Sequence, residues 1–153
     1  RTVLVRFKGW DHHESIDRAM TYGFPPKLEA LDQAVTALHE DLARRGLDER
    51  VTVVLASEFG RTPRINPRGG RDHWARASSV LLFGGGVRRS VVVGKTDANG
   101  EAPIERPVSP ADLFCTLLGA LGADLEQVQH TPDGRPVRTV NESAKPIHEL
   151  LQS

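Results

Sequence analysis

Residues 51–74 read VTVVLASEFGRTPRINPRGGRDHW, and the fold expected of this chain follows from how that stretch changes character along its length. Val51 to Leu55 is a β-branched and apolar run, the composition of a buried strand. It gives way to a long polar loop carrying Glu58, Arg61, Thr62, Arg64, Asn66, Arg68, Arg71, Asp72 and His73. Few of these side chains help a core. Ligands of open α/β sheets sit beyond the carboxyl ends of the strands. A strand that empties into such a loop therefore points to a site for a metal or an anion.

Upstream of this stretch, Pro25-Pro26 opens a long helix. Leu28, Leu31, Val35, Leu38 and Leu42 recur at offsets of three and four and form one stripe. Arg44-Arg45 suit the negative end of the helix dipole, and Gly46 is a natural stop. Before the helix, residues 2–7 (TVLVRF) read as a strand with apolar residues on both faces, so it should be covered on both sides. Gly9 ends that strand, and Trp10-Asp11-His12-His13-Glu14 follows just past its carboxyl end. Strand, helix and strand then make one right-handed βαβ unit with parallel strands.

Downstream, residues 79–83 (SVLLF) read as a third strand ending in Gly84-Gly85-Gly86, and residues 90–93 (SVVV) as a short fourth. Asp97-Ala98-Asn99-Gly100 is a turn. Ser109-Pro110-Ala111-Asp112 has the form of a capped helix start, followed by the apolar face of Leu113, Phe114, Leu117, Leu118 and Leu121 and the stop Gly122. Residues 131–138 read as loop, and residues 147–151 as a short final helix. The expectation is an α/β fold, a mostly parallel sheet flanked by helices on both faces. Residues 1–153 form a single domain, incomplete at its N-terminus because the chain enters directly on a strand-like run. On that reading it is the C-terminal part of a longer domain. A sheet cut there exposes an edge, through which copies could self-associate as a homo-oligomer.

The chain has 153 residues with 20 Lys+Arg against 20 Asp+Glu, so its formal charge is balanced. That argues against nucleic acid or an acidic membrane surface as partner, either of which calls for a basic excess. The imbalance is local: between Arg61 and Arg76 there are five arginines and one acid, Asp72. The patch could hold a phosphate or sulfate through paired N–H donors, or be a solvated loop. The single cysteine, Cys115, lies on the apolar pattern of a helix and reads as a core residue; no internal disulfide is possible. No apolar run approaches the roughly 18 residues of a membrane span.

Three groups of chemistry-bearing residues lie near strand ends: Asp11 with His13, Glu58, and Asp72 with His73. If they share one edge of the sheet, they converge. Carboxylates and imidazoles without thiolates suit zinc, manganese or magnesium. A lone Asp-x-His is as readily a surface turn; three such groups at successive strand ends are harder to set aside. His13 is favoured over His12, because neighbours in an extended loop face opposite sides. Trp10 and Trp74 could wall the site or simply pack in a core. Arg61 and Arg71 are the candidates for clamping an anionic substrate beside the metal.

The motifs GWDHH (9–13), SEFGRTP (57–63), GGRDHW (69–74), GGGV (84–87), VSPADLFCTLLGALG (108–122) and the closing GRPV…KPIHELL together resemble a bacterial family of unknown function. That family is placed by sequence in the alkaline phosphatase and sulfatase superfamily. The resemblance covers nearly the whole chain. It implies a metal-dependent hydrolase of phosphate or sulfate esters acting on a small anionic ester, with an exported location common among relatives. It also implies Asp11, His13 and His73 as one set of metal ligands. The superfamily's second set includes an Asp-His pair directly after a strand. Glu58-Phe59 stands there in this chain: Glu58 could ligate, Phe59 cannot, and Asp72 or His12 are the alternatives. The nucleophile of the superfamily lies N-terminal to all these motifs, and neither Ser57 nor Thr62 is proposed for it. A non-catalytic module that binds an anion or glycan, or acts in assembly, is the alternative expectation.

Overall fold

A computed structural model describes residues 1–17 and 23–152. Helix α1 spans Phe24–Arg44, with Pro25 and Pro26 in its first turn and Arg44 in its last. Gly46 follows with φ +64°, and its N–H bonds the carbonyl of Ala43. The left-handed conformation costs a glycine nothing, so the helix ends there. Of the apolar stripe only Leu42 is fully buried, while Leu28 and Leu38 stay half exposed. His39 meets the ring of Phe83 edge-on at 5.7 Å.

The strands follow in chain order. They are β1 (Thr52–Leu55), β2 (Gly60–Arg61), β3 (His73–Trp74), β4 (Leu81–Gly84), β5 (Lys95–Thr96) and β6 (Pro103–Glu105). Helix α2 (Pro110–Ala120) precedes β7 (Val128–His130), β8 (Pro136–Arg138) and a final 3₁₀ turn, His148–Leu150. Every ladder is antiparallel and two-stranded: β1 with β4, β2 with β3, β5 with β6, β7 with β8.

This overturns the expected α/β architecture. The described residues hold no parallel sheet flanked by helices, and α1 is not the crossover of a βαβ unit. The chain leaves β1, traverses the polar loop and returns, so that β4 lies against β1 with Thr52 opposite Gly84 and Leu55 opposite Leu81. A parallel partner for β1 would have to come from residues 2–7, and these enter no ladder. Val3, Leu4 and Val5 are 79–85 % exposed. Strand-forming composition needs a partner's N–H and C=O groups to become a strand. The expected strand at 90–93 is likewise absent, with Val92 exposed and pairing displaced to Lys95–Thr96. Residues 131–138 are not all loop: β7 and β8 form a hairpin whose turn contains Gly134 at φ +83°.

The expected turn after β5 is present and has a local cause. The Asp97 carboxylate accepts the N–H groups of Asn99, Glu101 and Ala102. The start of α2 likewise rests on a local device. Ser109 Oγ accepts the N–H of Asp112, and the Asp112 carboxylate accepts the N–H of Ser109. That reciprocal capping box satisfies two otherwise orphan donors.

The core is small and lies where α2 meets the C-terminal segment and the glycine turn. Val87, Cys115 and Ile147 are buried with Thr116, whose hydroxyl accepts the N–H of Ile147 at 2.8 Å and donates to the carbonyl of Asp112 at 2.7 Å. Arg88 N–H bonds the carbonyl of Leu150, and Val87 bridges Leu151. Gly86, at φ +75°, lets this turn press on Ala120, where a Cβ would collide with backbone. Among the described residues no helix is long and apolar enough to cross a membrane.

The same corner carries a pH dependence. Hydrogen bonds from Lys145 N–H and from Ser109 hold the Asp112 carboxyl at about 2, against an ordinary 3.8. Arg106, bonded to Glu149 at 2.7 Å, holds that carboxyl at about 2, against 4.5. A carboxyl depressed by folding stabilises the native state fully above its unfolded value. That contribution is lost as pH falls through the folded value. The thermal midpoint should therefore fall between about pH 4.5 and pH 2, and Asp112→Asn should flatten the profile there. An unchanged slope in that variant would show that the carboxylate is not the responsible group.

Candidate functional site

The site forms where residues 12–16 lie along residues 66–71. Arg71 N–H bonds the carbonyl of His12 at 2.9 Å, Ser15 N–H that of Arg68 at 3.1 Å, and Ile16 N–H that of Gly69 at 2.8 Å. Glu14 and Gly69 form an antiparallel bridge. The approach requires glycine at position 70, since a Cβ there would strike the backbone of His13 and Glu14. Beside this seam, β2 and β3 place Arg61 directly opposite His73. Two motifs about sixty residues apart in sequence thus share one patch of surface.

Three of the candidate ligands converge. Asp11, His13 and His73 offer ligand atoms that all lie within 4.8 Å of one another. Asp11 Oδ1 is 3.0 Å from His13 Nε2 and 2.8 Å from His73 Nε2, and the two Nε2 atoms are 3.2 Å apart. A tetrahedral zinc with bonds of 2.0–2.1 Å would space such atoms about 3.3 Å apart. An octahedral magnesium with similar bonds would space adjacent ligands about 2.9 Å apart. The three donors are therefore at or a few tenths of an ångström inside ligating separations, and the donor set of one carboxylate and two imidazoles suits zinc better than magnesium, which prefers oxygen ligands. All three are open to solvent on one side, Asp11 most of all with 64 % of its side chain exposed.

Asp11 is also held by Arg61, whose Nη2 lies 2.6 Å from the same Oδ1. Hydrogen bonding to His73 and then to Arg61 holds the Asp11 carboxyl far below the usual carboxylate range. The group is consequently an anion at any physiological pH, as a ligand must be.

Asp72 occupies a different place from a direct ligand. Its Oδ1 lies 2.8 Å from His13 Nδ1, on the far side of the ring from Nε2. Bonding to His13 first, and then to Asn66, depresses its carboxyl. An ionised carboxylate only accepts, so Nδ1 faces Asp72 as a donor, while Nε2 is turned to the cluster, 3.0 Å from the Asp11 carboxylate. Carboxylate–imidazole pairs of this kind orient ligating histidines.

Glu58 stands outside the three-residue group. It is exposed and lines the adjoining cleft, and Phe59 beside it stacks on His73 with centroids 4.3 Å apart. The two arginines diverge. Arg61 faces the cluster, whereas Arg71 Nη1 donates to the carbonyls of Thr62 and Pro63 at 2.6 and 2.5 Å and braces the loop. His12 is 2 % exposed and packs edge-on against Phe24 at 4.9 Å. Trp10 meets Phe7 and Phe24 edge-to-face, while Trp74 donates to the carbonyl of Glu101 at 2.7 Å. An open cleft of about 680 Å³ adjoins the cluster, walled by Trp10, Phe24 and Phe59 with Glu58, Arg61 and Arg71.

Asn66 was not among the residues singled out for the site. Its amide donates to the carbonyl of His13 and to both oxygens of Asp72. The available signal was its place in a loop with glycines three and four residues on, where an Asn side chain commonly organises a turn.

No curated protein and no solved structure matches the chain. The family model described as a protein of unknown function (DUF1501) matches residues 1–151, a span that contains every residue of this cluster and nearly the whole chain. The chain therefore belongs to the DUF1501 family.

Proposed function

We propose that this chain supplies the metal-binding part of a hydrolase of phosphate or sulfate esters, related by its motifs to the alkaline phosphatase and sulfatase superfamily. The convergence of Asp11, His13 and His73 within 4.8 Å, from positions about sixty residues apart, is the observation that carries the reading. Asp11, His13 and His73 hold the ion. A divalent cation bound there supplies Lewis-acid stabilisation of the charge that develops on the ester oxygen. Asp72 orients His13 from Nδ1, and Arg61, paired with Asp11 through Nη2, brings its positive charge to the anionic group of the substrate. Trp10, Phe24 and Phe59 give the cleft apolar walls for the body of the ester. Glu58 lines the same cleft. The attacking nucleophile is assigned to a part of the protein outside these residues.

The test takes the full-length protein. Elemental analysis should find zinc, manganese or magnesium bound, and aryl phosphate or aryl sulfate should be hydrolysed in a chelator-sensitive manner. A folded protein without bound metal and without either activity defeats the proposal. Anion binding that survives chelation, without turnover, would instead favour a non-catalytic anion- or glycan-binding module.

A further inference from the structure

We infer that Asn66 is a positioning residue for the metal site, setting the place of His13 and of the Asp72 carboxylate behind it; the inference rests on the metal-binding reading above. Asn66 Nδ2 donates to the main-chain carbonyl of His13 at 2.9 Å and to Asp72 Oδ1 and Oδ2 at 3.2 Å each. Its Oδ1 accepts the N–H groups of Arg68 and Gly70, both at 3.0 Å. The orientation of the amide is unambiguous: turned over, it would set NH₂ against two N–H donors and oxygen against three acceptors.

One half-buried side chain thereby joins three things. It closes the 66–70 turn, which its own N–H also bonds across to the carbonyl of Gly70 at 2.8 Å. It pins the backbone of His13. It also holds the carboxylate that receives the Nδ1 proton of the same histidine. With one N–H spent on the His13 carbonyl, the other is shared between the two oxygens of Asp72. The carboxylate is therefore fixed in the plane from which Oδ1 meets His13 Nδ1 at 2.8 Å. If Asp72 rotates, the imidazole loses the contact that aims Nε2 at Asp11 and His73. Carboxylates that orient a ligating histidine are worth about 10–100-fold in metal affinity, and Asn66 controls that carboxylate without touching the ion.

Asn66→Ser separates the two roles. The serine hydroxyl can still accept from the turn, but it is too short to reach Asp72 and the His13 carbonyl. A crystal structure of the metal-free full-length Asn66→Ser protein should show the Asp72 carboxylate turned from His13 Nδ1, which it meets at 2.8 Å in the wild type, and the imidazole shifted from its place beside Asp11 and His73. Zinc affinity, read by competition with a chromophoric chelator, should fall about 10–100-fold in Asn66→Ser, with the thermal midpoint near that of the wild type. Asn66→Ala should lose both the affinity and some of the midpoint. Wild-type zinc affinity with an unmoved His13 ring in Asn66→Ser would overturn the inference. If the wild-type protein binds no zinc, manganese or magnesium, the metal reading falls by itself, and the position of the His13 ring in Asn66→Ser still decides whether Asn66 places it.

Discussion

Asp11→Ala in the full-length protein should abolish metal binding while leaving the fold in place. The carboxylate is the only anion of the three-residue group, and its Oδ1 is the atom on which His13 Nε2, His73 Nε2 and Arg61 Nη2 converge at 3.0, 2.8 and 2.6 Å. Without it, two imidazoles remain beside an arginine that no longer has its counter-charge. Repulsion from that guanidinium then opposes a divalent cation. Loss of an orienting partner outside the coordination sphere costs about 10–100-fold in affinity; loss of the anionic ligand itself should exceed the upper end of that range. Because Asp11 pairs with Arg61 and His73 and those bonds depress its carboxyl, the thermal midpoint of the metal-free protein should fall modestly at neutral pH, and affinity is compared where the variant is folded. Glu58→Gln is the comparison. Glu58 lies in the cleft but outside the group, so its replacement should alter affinity much less. If Asp11→Ala keeps wild-type metal stoichiometry and affinity, the ion is bound elsewhere.

Gly70→Val should open the seam that assembles the site. Position 70 is buried, and a side chain there meets the carbonyl of His13 and the nitrogen of Glu14, both backbone and so unable to swing aside. The 12–16 segment must retreat, and the bonds from Arg71 N–H, Ser15 N–H and Ile16 N–H go with it. At about 0.5–1.5 kcal/mol net for each of three hydrogen bonds, the local opening free energy should drop by roughly 2–4 kcal/mol. Hydrogen exchange at Ser15, Ile16 and Arg71 would report it as loss of protection confined to the seam. Metal affinity should collapse along with it, since His13 is carried on that segment. Unchanged protection at these three amides would show that the close approach at Gly70 is not what joins the two motifs.

These two variants test different levels of the same arrangement. The first removes a ligand from an assembled site; the second leaves every ligand in the chain and prevents their meeting. Intermediate in kind is Asn66, which does not belong to the ligand group but bonds across the seam to the carbonyl of His13 and holds Asp72 against its ring. The contrast also bears on Arg61 and Arg71, alike in the sequence as candidate anion clamps. Arg61 faces Asp11 because β2 pairs with β3 and sets it opposite His73, whereas Arg71 is occupied by the carbonyls of Thr62 and Pro63.

The two helices were legible from residues alone because what makes them is local. The prolines of the first turn, the spacing of Leu28, Leu31, Val35, Leu38 and Leu42, and the stop at Gly46 suffice for α1. The reciprocal bonds of Ser109 and Asp112 suffice for the start of α2. The turn at Asp97 is of the same kind. The chemistry-bearing residues could also be named, since a carboxylate or an imidazole keeps its character wherever it falls. The sheet could not be read in this way. Residues 2–7 have the composition of a strand yet enter no ladder, and β4 runs antiparallel to β1 rather than parallel. Composition specifies a readiness to pair, whereas direction and partner depend on where a distant segment is carried. For the same reason only tertiary structure decided that Asp72 meets His13 on Nδ1, that Arg71 serves the loop, and that Asp11, His13 and His73 share one patch. Each of those outcomes is a contact between residues far apart in the chain, and no local preference encodes it.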